Sequence, residues 1–257
     1  MNSDALPIIA WDNQIEPSVM AIPPSSGDAS GFPSANVGDW RPYERWKAST
    51  FPNAWIKVDA GVGNKITASV VAVMGHNLAT IGATFTLDGC DDDASWVTAL
   101  TITPSGDRAL AGTFPEASYR YWRLLFSGET AAAEIGIWFL GPYIQFPDYC
   151  LPGFDPQKKK LTTDTTLGQT GELLGATKRF MAWDITANFG DMDRDWVTLW
   201  ITPMENTHYP KPFFWVWDEE NHPEDVFLLR CDKPEISHAV SANLAMVSLE
   251  MTGRMEP

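Results

Sequence analysis

Long apolar runs are missing from this chain. No stretch of its 257 residues approaches the roughly 18 apolar positions that a membrane-spanning helix needs. Cations are scarce too: 18 Lys and Arg stand against 33 Asp and Glu, a formal net charge of -15. Nucleic-acid phosphate is therefore excluded as a partner, because its binding draws on Lys and Arg. Docking on an anionic membrane surface is excluded on the same ground, and insertion by the lack of apolar runs. The three cysteines, Cys90, Cys150 and Cys231, are far apart and form no CxxC. Free thiols in a reducing compartment are expected from that pattern. There is no G-x-G-x-x-G, no P-loop, no G-x-S-x-G elbow and no Cys-Gly-Ser-Cys run, so no cofactor and no catalytic apparatus is implied. The opening "MNSDALPIIAWDNQIEP" lacks the basic start and apolar core of a signal peptide, which implies a chain made and kept in cytosol.

What is present is aromatic and β-patterned. Twelve Trp and 13 Phe within a 44% hydrophobic composition can fill real cores. The length suits two domains. Residues 1 to 35, rich in Pro, Ser and Gly, read as an extended segment that opens the first domain. From "WIKVDAG" onward, Ile56 and Val58 alternate with Lys57 and Asp59, the period of a half-buried strand. "ITASVVAVMG" is more continuously apolar, as expected of a strand covered on both faces. "ATFTLDG", "WVTALTITP", "YRYWRLLFSG" and "AEIGIWFLG" complete an antiparallel sandwich over residues 36 to 145. In "YRYWRLLF", Tyr119, Tyr121, Arg123 and Leu125 share one face, with Arg120, Trp122, Leu124 and Phe126 on the other.

Three prolines and a lysine triplet mark residues 146 to 165 as a linker. A second, smaller β-domain follows over 166 to 257. It carries one helix near 191 to 201, with Asp191 as N-cap, Met192, Trp196, Leu199 and Trp200 as its buried stripe, and Pro203 as its stop.

Candidate chemistry is sparse. His76 and Asn77 sit where a strand ends after Gly75, and a turn explains them without a nucleophile nearby. Asp88, Asp91, Asp92 and Asp93 in "DGCDDDASW" could offer oxygen ligands to a cation, but their spacing is not that of an EF-hand, and a solvated acidic loop is favoured. "DEENHPED" reads as a charged hairpin tip in which His222 stands alone among carboxylates. His208 and His238 are singletons, His238 in a turn after Pro234. The aromatic loop "DWRPYERW" offers Trp40, Arg41, Tyr43 and Trp46 as contacts for a glycan or a protein partner, or as a plug for the sandwich end.

In order, "GFPSANVGDWRPYERWKAS", "WIKVDAG", "VAVMGHNLATIGATFTLDGCDDDASW", "YRYWRLLFSG" and "IGIWFLG" resemble a galactose-binding-like, discoidin-type jelly roll of the minor tail and tail-tip proteins of long-tailed bacteriophages. "KRFMAWDITANFGDMDRDWVTLWI", "KPFFWVWD", "VFLLRCDKPEISHAV" and "NLAMVSLEMTG" resemble the tail-tube-like C-terminal β-domain of the same proteins. In that family the His-Asn-Leu turn, here His76, Asn77 and Leu78, recurs between two strands. The resemblance implies a non-enzymatic structural component of a tail tip or baseplate, assembled in the host cytoplasm and carried in the virion tail. Its partners would be copies of itself in a ring and other phage tail proteins. The rival expectation is a carbohydrate-binding module for a host glycan.

Overall fold

The structure, a computed structural model, describes residues 6–16, 25–232, 234–238 and 243–255. Much of the extended segment expected over residues 1 to 35 lies outside them. The chain is mainly β, with antiparallel sheets throughout.

The strands in chain order are β1 (Ile8–Ala10), β2 (Trp46–Lys47), β3 (Trp55–Asp59), β4 (Ile66–Met74), β5 (Thr84–Cys90), β6 (Val97–Ile102), β7 (Leu110–Tyr119), β8 (Tyr121–Ser127), β9 (Glu134–Ile135), β10 (Ile137–Gly141) and β11 (Ile144–Gln145). They continue with β12 (Lys159–Leu167), β13 (Leu173–Asp193), β14 (Phe213–Val216), β15 (Val226–Cys231), β16 (Glu235–His238) and β17 (Leu244–Arg254). Two compact units result. One holds residues 1–145 and 214–226, the other 146–213 and 227–257. The return of 214–226 to the first unit has no mark in the sequence.

In the first unit, a sheet ordered β3-β8-β5-β6 faces a sheet ordered β10-β4-β7. Alternation along each strand builds the core between them. Ile56, Val58, Phe85, Leu87, Trp122, Leu124 and Phe126 point in from the first sheet and meet Val71, Val73, Leu110, Phe114, Trp138 and Leu140 from the second. Phe114 and Trp122 touch across the gap, their centroids 5.7 Å apart. The continuous apolar runs of β4 and β10 have a second use. Phe139, between core residues Trp138 and Leu140, turns to the outer side, where Trp40 and Phe214 meet it at 6.1 and 5.9 Å. There β1 pairs with both β11 and β14, covering what would otherwise be an exposed apolar face.

In the second unit β13 is the spine. Its second half pairs with β17, which also pairs with β15 and β16. Its first half pairs with β12, and β12 begins at Lys159, inside the span read from the sequence as a linker. The run "KKLTTDTTL" hides a strand because nearly all of its residues are exposed, so no apolar alternation marks it. Its threonines supply the β preference instead.

The helical segment also departs from expectation. Asp191 has a φ of 52°, and the N-cap is Asp193, whose carboxylate accepts from the N–H groups of Asp195 and Trp196. Arg194–Trp196, Val197–Ile201 and Thr202–Thr207 run on as one helical stretch past Pro203. Residues 197–201 widen to a turn in which Thr202 N–H bonds back five residues, to the Val197 carbonyl. That widening accommodates Pro203, which has no N–H for a regular turn. The buried stripe is Val197, Ile201, Met204 and His208, while Leu199 and Trp200 are exposed. His238 lies in β16, opposite Ala245, and not in a turn. Among the described residues, no helix is long and apolar enough to cross a membrane.

Candidate functional site

The strand end at His76 resolves into a clasp. Asn77 Nδ2 donates to the Ala132 carbonyl at 3.0 Å, and its Oδ1 accepts the Glu134 N–H at 2.9 Å. His76 is buried, and its Nδ1 accepts the Leu78 N–H at 3.3 Å. Asp107 lies 4.0 Å from that nitrogen and accepts from Ala79 N–H, Thr80 N–H and the Thr80 hydroxyl. Burial pushes the imidazole below its ordinary 6.5, against the pull of the Arg108 backbone and the Asp107 charge. A carboxylate is near His76, but it is spent on the turn. His208 is likewise buried, with Nε2 2.7 Å from the Pro212 carbonyl.

The aromatic loop separates by burial. Trp46 is fully buried, donates to Asp28 at 3.0 Å and packs on Phe126, so its ring faces core and cannot meet a ligand in solvent. Trp40 is half-buried, donates to Glu16 and packs on Phe139 and Phe214. Arg41 is held by Asp39 and Glu44. Tyr43, 66% exposed, projects into solvent.

The four aspartates at the end of β5 and just beyond it do not converge. Asp88 is buried and accepts from Arg123 at 2.9 Å and Thr98 at 2.7 Å. Asp91 pairs with Lys65 at 2.7 Å. Asp92 accepts from the Ser95 N–H and hydroxyl and the Ala94 N–H, which hold its carboxyl down to about 2. Asp93 takes Lys57.

These partners outline a different face, the outer side of the β3-β8-β5-β6 sheet. With Ile56, Val58, Trp122 and Leu124 turned inward, Trp55, Lys57 and Asp59 of β3 and Tyr121 and Arg123 of β8 must turn outward. The register sets Lys57 opposite Arg123 and Asp59 opposite Tyr121. Arg120 sits just before β8 and points outward as well, although the sequence groups it on one face with the inward Trp122, Leu124 and Phe126. It grips Asp59 with two bonds of 2.7 and 2.9 Å, which hold that carboxyl below the usual range. Each cation also lies over a ring. Lys57 is 5.5 Å from both Trp55 and Tyr121, Arg120 is 4.5 Å from Tyr121, and Arg123 is 4.1 Å from Trp96. The result is a platform of three half-exposed aromatics among three cations and three carboxylates, neutral as a set. It offers apolar ring faces beside hydrogen-bond donors and acceptors. The alternation in "WIKVD" and "YRYWRL" announced outward aromatics and charges. Nothing in the sequence placed those two strands, and Trp96, side by side.

No family model matches this chain, and no curated protein matches it. Among solved structures, it is similar to chitosan-binding module 1 of a chitosanase/glucanase from Paenibacillus sp. IK-5, at 18% identity and a TM-score of 0.43, over 50% of this chain and 97% of that one. It is similar to a pectin-binding carbohydrate-binding module at 18% identity and a TM-score of 0.40, over 47% and 89%. A Clostridium perfringens module in complex with GalNAc-β-1,3-galactose is similar at 7% identity and a TM-score of 0.43, over 49% and 98%.

Proposed function

We propose that the first unit is a non-catalytic carbohydrate-binding module whose binding face is the outer side of the β3-β8-β5-β6 sheet. One observation carries this: Trp55, Trp96 and Tyr121 lie together, half-exposed, within a charge-balanced ring of Lys57, Arg120, Arg123, Asp59, Asp88 and Asp93. Sugar rings stack their C–H faces on aromatics while their hydroxyls need donors and acceptors alike. Equal numbers of the two charges suit a neutral glycan better than a uronate or a phosphate. Tyr43 is the exposed aromatic of the loop that carries Trp40 and Trp46.

The test is a glycan array followed by titration of the best neutral glycan. Trp55→Ala and Tyr121→Ala should each weaken binding by about tenfold or more, roughly 1.4 kcal/mol, with circular dichroism unchanged. Full affinity in the double variant, or an array without a hit, would sink the proposal. Trp46→Ala cannot serve, because removing a fully buried Trp costs about 3–5 kcal/mol and unsettles the fold itself.

A second function is favoured by the second unit: assembly with further copies of the chain, as in the ring of a phage tail tip or baseplate. The β12-β13 ribbon exposes Leu161, Leu167, Leu173, Leu174 and Phe180, each more than half exposed. A two-stranded ribbon bare on both faces is marginally stable alone. Between Lys158 and Arg179 it carries five cations and two carboxylates, in a chain of net charge -15, so the acidic body of another copy complements it. Light scattering over a concentration series should show self-association that weakens as salt is raised and is lost in a Leu161→Ser, Phe180→Ser double variant. A strict monomer at high concentration and low salt would remove this function.

A further inference from the structure

Outside both of these surfaces lies the segment 217–225, which the sequence presents as a charged hairpin tip with one histidine, His222, that could join a metal site. It is pinned to the first unit by Glu219, whose carboxylate accepts the Thr113 N–H at 2.8 Å and the Thr113 hydroxyl at 2.9 Å. Two successive turns then fold it back on itself. The His222 N–H bonds the Asp218 carbonyl at 3.1 Å, and the Asp225 N–H bonds the His222 carbonyl at 3.0 Å. The folding brings His222, Glu224 and Asp225 to one spot, where one ligand-capable atom from each lies within 4.8 Å of the other two.

We propose that His222, Glu224 and Asp225 form a binding site for a borderline divalent cation of the zinc class. An imidazole nitrogen with two carboxylate oxygens is a donor set that zinc takes readily, whereas calcium and magnesium prefer oxygen alone. Two of the three side chains are already set. The His222 ring stacks on Trp217, at a centroid distance of 4.9 Å and an interplanar angle of 22°. Asp225 is almost fully buried, and its Oδ2 accepts from the Trp217 indole at 3.3 Å. One tryptophan thus orients both ligands, the supporting part that neighbours of metal ligands play. Glu224, half-exposed, has its Oε1 3.8 Å from His222 Nδ1. Zinc held at about 2.0–2.2 Å from each donor needs ligand atoms roughly 3.5 Å apart, so the three groups, now within 4.8 Å of one another, draw together on binding. Three protein ligands leave a coordination position for water or for an oxygen of a bound molecule.

The test titrates the full chain with zinc chloride by calorimetry. One equivalent should bind, and His222→Ala and Glu224→Gln should each weaken binding by about tenfold or more, the scale on which a metal site responds to loss of a supporting group. Both side chains are exposed, so these variants should keep the fold, checked by circular dichroism. Asp225→Asn gives a third arm, read only if it folds. No zinc bound, zinc bound unchanged in His222→Ala, or calcium chloride binding there with zinc inert, would each overturn the proposal.

Discussion

Asn77 spans a gap of more than fifty residues to hold Glu134: its Oδ1 accepts the Glu134 N–H at 2.9 Å while its Nδ2 reaches the neighbouring Ala132 carbonyl at 3.0 Å. Glu134 in turn gathers Lys47 at 2.8 Å and Arg45 at 3.2 Å, so one amide side chain fixes the place where the aromatic loop returns to the sandwich. The His-Asn pair at the end of β4 is therefore a structural clasp.

Removing the clasp should cost stability and leave any ligand face alone. Asn77→Ala strands a backbone donor and a backbone acceptor, and should destabilise by about 1–3 kcal/mol. Chemical denaturation measures it. A midpoint unchanged from the parent chain would show that water replaces the amide at no cost.

The buried imidazole beside it gives a pH signature. Burial lowers the folded His76 pKa below the 6.5 of an ordinary histidine. Between those two values the unfolded chain binds the proton and the folded chain does not, so stability falls as the pH drops below about 6.5. The fall ends beneath the folded value, where both states are protonated. Urea midpoints measured at half-unit steps from pH 7.5 to 5 should show the decline. His76→Gln should flatten this part of the profile, and an identical slope in the variant would assign the proton to another group.

Two glycines make the third prediction. Gly75 has a φ of 69°, and a Cβ there would sit 2.6 Å from the Pro42 carbonyl oxygen. A Cβ on Gly136 would sit 2.5 Å from the same oxygen. The backbone of the aromatic loop is thus pressed onto both. Gly136→Ala forces a backbone shift costing about 1–3 kcal/mol, and Gly75→Ala adds left-handed strain of about 1–2 kcal/mol. Thermal melts should rank the parent above Gly136→Ala, and that above Gly75→Ala. Equal melting temperatures would show the loop free to lift away.

Much of the first unit was legible because its strands are half-buried. In "WIKVD" and "YWRLLF" the switch between core and solvent at every residue writes the strand into the sequence. The second unit was read less well for the converse reason. β12 is exposed on both faces and carries no alternation, so its part before residue 166 passes for a linker. The helical stripe was displaced because Met192 still belongs to β13 and the helix starts later than expected, after the Asp193 cap, which puts Val197 and Ile201 in the core in place of Leu199 and Trp200.

By itself the sequence determined the acidic surface, the β class and the inward set of each regular strand, since charge and period-two patterning are local properties. Tertiary structure alone decided which strands lie side by side. That placement sets Lys57 between Trp55 and Tyr121, sends Trp46 into the core although it shares a loop with exposed Tyr43, and closes 214–226 back onto the first unit through Thr113 and Glu219. The physical reason is that a strand's own residues fix which face is buried, whereas its neighbours are chosen by the packing of the whole core and the pairing of backbone groups distant in sequence.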